Sequence, residues 1–102
     1  DSEISVSVGS FKETKTNSGI TIRPLTQDLD NMDRANIHLY LQGDNVIDLG
    51  ERLALDKELV AIPAADSKSV QLLGKAGKAD GTEVDTNGAS EEFNLVFKIK
   101  KR

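Results

Sequence analysis

The residues able to do chemistry are few and scattered. His38 is the only histidine among 102 residues. It sits between Ile37 and Leu39 on the polar side of an alternating stretch, so a solvent-facing imidazole is expected. General acid–base catalysis needs a partner within hydrogen-bond reach, and no sequence neighbour of His38 suggests one. There is no Gly-x-Ser-x-Gly nucleophile elbow. The absence of cysteine removes thiolate nucleophiles, disulfides and cysteine-bound zinc or iron–sulfur. The reading is therefore a non-enzyme, with a small hydrolase of cryptic site as the catalytic alternative.

Asp28, Asp30, Asn31 and Asp33 crowd one connection, and calcium takes several oxygen ligands from such loops. An EF-hand loop starting at Asp28 would need glycine at its sixth place and glutamate at its twelfth. Asp33 and Leu39 stand there, so a polar turn-forming connector is expected instead. Asp80, Glu83 and Asp85 form a second acidic group with the same reading. No metal and no other cofactor is expected. Gly74-Lys75-Ala76-Gly77-Lys78 has phosphate-friendly residues but not the P-loop spacing, and reads as a surface loop. Lys98, Lys100, Lys101 and Arg102 place four cations in five residues. They suit an acidic partner or a phosphate. The preferred reading is a solvated end that keeps an edge strand from pairing.

The elements around these residues read as strands. From Glu3 to Val8 the chain alternates, with Ile4, Val6 and Val8 on one face. Phe93, Leu95, Phe97 and Ile99 repeat the pattern near the other end. Between Phe11 and Leu25 a hairpin is expected, turning at Asn17-Ser18-Gly19 and stopped by Pro24. Thr26 to Arg34 is a polar connection in which Thr26 caps at most one helical turn. Ala35 to Gln42 is a strand with Ile37, Leu39 and Leu41 inward, and Gly43-Asp44-Asn45 turns it toward Val46-Ile47. Leu49 to Ile62 is ambiguous: Leu55, Leu59 and Ile62 share a helical face, yet strand-rich flanks favour two short strands broken at Asp56-Lys57. Val70 to Leu73 is a further strand, and Gly74 to Ser90 a long polar loop.

Seven or eight short strands in one domain spanning residues 1–102 define an all-β chain. The expected architecture is an antiparallel β-sandwich of the immunoglobulin-like kind, with a small β-barrel as the alternative. Net charge is −4, and the only aromatics are Phe11, Tyr40, Phe93 and Phe97. Both facts disfavour nucleic acid, which asks for positive charge and stacking platforms. No apolar run is long enough for a membrane-spanning helix.

The stretch from Ser2 to Ser10 resembles the donor strand of fimbrial (pilin) subunits. The ending Gly88-Ala-Ser-Glu-Glu-Phe-Asn-Leu-Val-Phe97 is similar to their closing strand. The resemblance covers about a fifth of the chain and rests on alternation plus a glycine. The chain departs from those subunits in its shortness, its lack of a cysteine pair and its basic end. The resemblance implies that Ile4, Val6 and Val8 fill grooves on a neighbouring subunit.

The function expected from all this is a non-enzymatic structural or adhesive subunit of a surface assembly. It would act through β-strand contacts with copies of itself or related protein subunits, as in a homo-oligomer. The start at Asp1, without an initiator methionine, suits an exported and processed chain, a trimmed chain or a proteolytic fragment alike. The expected location is extracellular or at the cell surface. Two rivals share the same profile: a phage or viral tail or capsid domain, and a monomeric binding module or inhibitor that uses the 74–90 loop.

Overall fold

A computed structural model describes residues 3–52, 55–78 and 89–102. Seven strands are found among the described residues: β1 (Ile4–Glu13), β2 (Thr21–Ile22), β3 (Asn36–Gln42), β4 (Val46–Asp48), β5 (Glu58–Ile62), β6 (Gln71–Ala76) and β7 (Phe93–Lys101). They form two packed sheets, mostly antiparallel, and do not close into a barrel. The first sheet has the order β5-β1-β7. In the second, β3 is central, flanked by β6 on its long ladder and by β2 and β4 on shorter ones.

β1 is the longest strand, and a bulge explains its length. Val8 lies opposite Phe97 and Ser10 opposite Val96, so Gly9 is the extra residue. The insertion shifts the alternation by one. Val8 and Phe11, three apart in sequence, therefore face the same way, and both are buried. Their partners Phe97 and Leu95 keep the ordinary two-residue period. The nearest atoms to a Cβ on Gly9 would be the Lys98 stem and, at 3.4 Å, the Val96 carbonyl oxygen.

The core lies between the sheets. Val8, Phe11, Leu41, Ile47, Leu49, Leu59 and Val60 form it, with Val6, Leu39, Phe93 and Leu95 packed against it. The Phe11 and Phe93 rings meet at 5.0 Å, tilted by 53°. The Arg52 guanidinium sits 4.5 Å above the Phe11 ring, donates to the Phe11 carbonyl at 3.1 Å and lies 3.4 Å from Glu13.

Three sequence expectations are corrected. The turn after Glu13 exists, with Asn17 and Gly19 at positive φ (54° and 82°), but no hairpin follows. The chain crosses to the other sheet, where Thr21 and Ile22 pair in parallel with Asn36 and Ile37. Thr26 to Arg34 forms a chain of turns rather than a helical turn, as in the Met32 amide bonding to the Leu29 carbonyl. The strand expected at 70–73 runs on through Gly74, Lys75 and Ala76, held by a six-pair ladder to β3. Those three residues are therefore not loop. Of the 49–62 stretch, the second strand is β5, ending before Pro63 as expected. The described residues before it are turns, and Leu53 lies outside the described set.

The two sheets are joined at the outer edge of β5. The Asn45 amide donates to the Leu59 carbonyl at 3.1 Å, and Asn45 Nδ2 to the Glu58 carbonyl at 2.9 Å. Asp44 Oδ2 accepts the Ala61 amide at 3.0 Å, while Lys68 Nζ lies 3.3 Å from Asp44 Oδ1. The Ala61 amide, and then Lys68, hold the Asp44 carboxyl below its ordinary range. A carboxyl depressed by folding stabilises the fold above its unfolded pKa and loses that effect as pH falls through its folded value. Asp44→Asn is therefore expected to melt below the parent at neutral pH. The gap should close as the solution is acidified below about pH 4, read from melting curves of both proteins.

Candidate interaction edge

His38, Asp28, Asp30 and Asp33 each have a partner close by. His38 is buried rather than solvent-facing, at 8% exposure. Its Nε2 lies 2.7 Å from the Gln27 carbonyl oxygen, because the 24–33 connection folds over the outward side of β3. Leu29, on that connection, is buried too, outside the main core cluster. Asp28 accepts the Asp30 amide, and Asp33 accepts the Ala35 amide and the Asn36 side chain. Asp30 lies 3.5 Å from Lys78. Among the described residues no three histidine, cysteine or acidic side chains are grouped to hold a metal. Asp80, Glu83 and Asp85 lie outside the described residues, as does most of the 74–90 loop. In the Gly74–Lys78 stretch, the Gly77 amide donates to the Asn36 carbonyl at 2.9 Å.

Ile4, Val6 and Val8 lie in β1, the central strand of the first sheet. Val8 is fully buried, and Ile4 and Val6 are partly so. On one side they face Ile62, Val60 and β5, on the other Lys101, Ile99 and Phe97 of β7.

The basic end of the chain is part of that sheet. β7 runs to Lys101, and Arg102 closes the ladder by donating its amide to the Glu3 carbonyl at 2.9 Å. Its guanidinium bonds Glu3 at 2.6 Å and lies 3.5 Å from Glu58, which also accepts the Ser5 hydroxyl at 2.6 Å. Glu3 and Glu58 together raise the Arg102 pKa above its already high ordinary value. Arg102 is thus a structural clamp, whereas Lys100 and Lys101 have no carboxylate partner among the described residues.

One surface stands out. β7 pairs with β1 on one side and with no described strand on the other. Directly opposed residues in an antiparallel pair share a face. Phe97 and Ile99 therefore point the same way as Val8 and Val6, toward the interior, yet they are 44% and 71% exposed. Val96, on the other face, is 53% exposed. The second sheet covers β1 and the start of β7 but leaves the last half of β7 bare. β6 repeats this on the second sheet: Leu72 lies opposite buried Leu41 and is 52% exposed. On the outer face beside β7, Ser5, Ser7, Asp56, Glu58, Lys98 and Lys100 line an open trough of about 350 Å³.

The sequence pattern correctly groups Phe93, Leu95, Phe97 and Ile99 on one face, but it does not distinguish the covered pair from the bare pair. The signal was present in the neighbours. Phe97 and Ile99 alternate with Lys98 and Lys100, whereas Phe93 and Leu95 flank Asn94, and lysine gathers on strand edges. No family model, curated protein or solved structure matches the chain, so the chemistry of this edge alone carries the functional reading.

Proposed function

We propose that the chain is a non-enzymatic structural or adhesive subunit that works through β-strand contacts between protein chains, in an assembly at a cell surface. The supporting observation is the outer β7 edge, which has no partner strand among the described residues and where Phe97 and Ile99 stand exposed. An added strand gains main-chain hydrogen bonds from such an edge and buries alternate side chains on it. The fold is all-β with two packed sheets, and this arrangement supports the immunoglobulin-like sandwich as the finer reading. β1 fills its own sheet here, so the contact surface assigned to a neighbour is β7. A donor role for Ile4, Val6 and Val8 would require β1 to be exchanged between copies. No helix of the described residues is long and apolar enough to cross a membrane.

Two measurements test the reading. Light scattering over a wide concentration range gives the solution mass. Amide exchange reads the protection of β7 in the presence of end-blocked alternating peptides: valine–threonine, valine–glutamate and valine–lysine. Association above the single-chain 11.0 kDa, or protection of β7 by any of the three, is expected. Phe97→Thr with Ile99→Thr should abolish it. These substitutions keep strand-favouring side chains at exposed positions and should change stability by no more than about 1 kcal/mol. A chain that stays single at all concentrations, with β7 unprotected by every peptide, overturns the proposal.

A further inference from the structure

The outer edge of β7, unpaired among the described residues, carries information about its partner. Its two faces differ: the inward face presents Phe97 and Ile99, and the outward face presents Lys98 and Lys100. Residues two apart on a strand are separated by roughly 6.6–6.8 Å along it, and an added strand has the same rise. Each side chain of an incoming strand would thus meet a β7 side chain on the same face. From this register we infer that β7 binds an extended segment of another protein chain in which apolar residues alternate with carboxylates. The apolar set lies against Phe97 and Ile99, and the carboxylates lie against Lys98 and Lys100. The inference rests on the strand-contact reading above and adds the chemistry of the partner.

Two observations favour this occupant, and two rivals fit less well. The lysines are available: Lys100 has no carboxylate partner among the described residues, and Lys98 is held only by Asp56 at 3.7 Å, in a pair exposed at both ends. An ion pair that open to water exchanges partners readily. A row of lysines on an edge usually keeps other strands away. Here exposed phenylalanine and isoleucine stand between the lysines, so the cations select among strands instead. They repel a basic strand and attract an acidic one. A second copy of β7 is disfavoured on the same ground, since it would bring further lysines to the edge. Phosphate backbones match the charge but offer nothing alternate to cover Phe97 and Ile99, and the edge provides one exposed aromatic for stacking.

The test uses the full chain and the end-blocked peptides already named, with a scrambled valine–glutamate peptide and a single-stranded oligonucleotide of equal charge. Binding is read by fluorescence anisotropy and its location by amide exchange. The valine–glutamate peptide should bind at least tenfold tighter than the scramble and the valine–lysine peptide, protect β7, and weaken with salt. Lys98→Glu with Lys100→Glu should reverse the preference toward valine–lysine while leaving the melting transition in place. Equal binding of the scramble, or equal competition by the oligonucleotide, overturns the inference by showing a site that reads charge alone. If valine–threonine protects β7 as well as valine–glutamate does, the acidic partner is wrong while the strand-contact reading stands. If no peptide protects β7, the acidic partner is wrong, and the strand-contact reading fails with it when the chain also stays single at all concentrations.

Discussion

Replacing Leu59 with alanine is expected to lower the free energy of unfolding by about 2–5 kcal/mol, the range for emptying a buried leucine site. Leu59 is fully buried in β5, within the cluster that includes Val8 and Phe11 from one sheet and Leu41 and Ile47 from the other. Its backbone carbonyl also accepts the Asn45 amide, tying the β3–β4 turn to the edge of the first sheet. The cavity would therefore open where the two sheets are joined, and neighbouring strands are held on both sides against collapsing into it. Domains of this kind have only about 5–15 kcal/mol to lose. A denaturant titration with unchanged slope and a lower midpoint would record the effect. Leu72→Ala removes the same atoms from the half-exposed face of β6 and should cost about 0.5 kcal/mol or less. Equal losses for the two would mean that the core lies elsewhere.

The contrast between Leu59 and Leu72 shows where local pattern stops. Alternation told which residues share a face, and it grouped Leu39 with Leu41 and Phe93 with Phe97 correctly. It could not tell which parts of a face the other sheet would cover. That depends on the lateral extent of each sheet, and hence on pairings between residues far apart in sequence. His38 shows the same boundary. It does fall on the opposite side of β3 from Leu39, but the 24–33 connection returns over that side and buries it.

Other elements were hidden for different physical reasons. β1 looks like two strands because the Gly9 bulge breaks the two-residue period between Val8 and Phe11. The turn at Asn17 and Gly19 was readable from residues that tolerate positive φ, but its destination was not. A two-residue parallel contact with β3 leaves no local mark. Gly74, Lys75 and Ala76 have weak strand preference and are held extended by the ladder to Ile37, His38 and Leu39. The free β7 edge was half legible. Its cations and its apolar alternation were both in view, but their coincidence on an unpaired margin emerges only from the strand order.

Gly50→Ala is the second large effect expected, through the backbone rather than the core. The 23–25 segment lies against residues 48–50, and Asp48 bridges them. Its Oδ2 accepts the Leu25 amide at 2.8 Å and its Oδ1 the Gly50 amide at 2.9 Å. A Cβ on Gly50 would drive into the Arg23 carbonyl and stand 2.8 Å from the Pro24 nitrogen. These are backbone atoms with little room to yield. The Arg23 amide is bonded to the Ile37 carbonyl at 2.7 Å, and its guanidinium to Asn36 at 2.8 Å. Displacing the segment therefore pulls on β3 as well, and either the Asp48 bridge or the Arg23 bonds must lengthen. Overpacking with loss of one or two such bonds costs about 2–4 kcal/mol. Gly9→Ala is the control: its added carbon meets mainly the Lys98 stem, which can swing away, and its cost should be about 1 kcal/mol or less. Denaturation midpoints give the ordering. Amide chemical shifts should place the Gly50→Ala disturbance at residues 23–25 and 36–37. A Gly50→Ala protein as stable as the parent, with those shifts unmoved, would show that the two segments are not in close contact in solution.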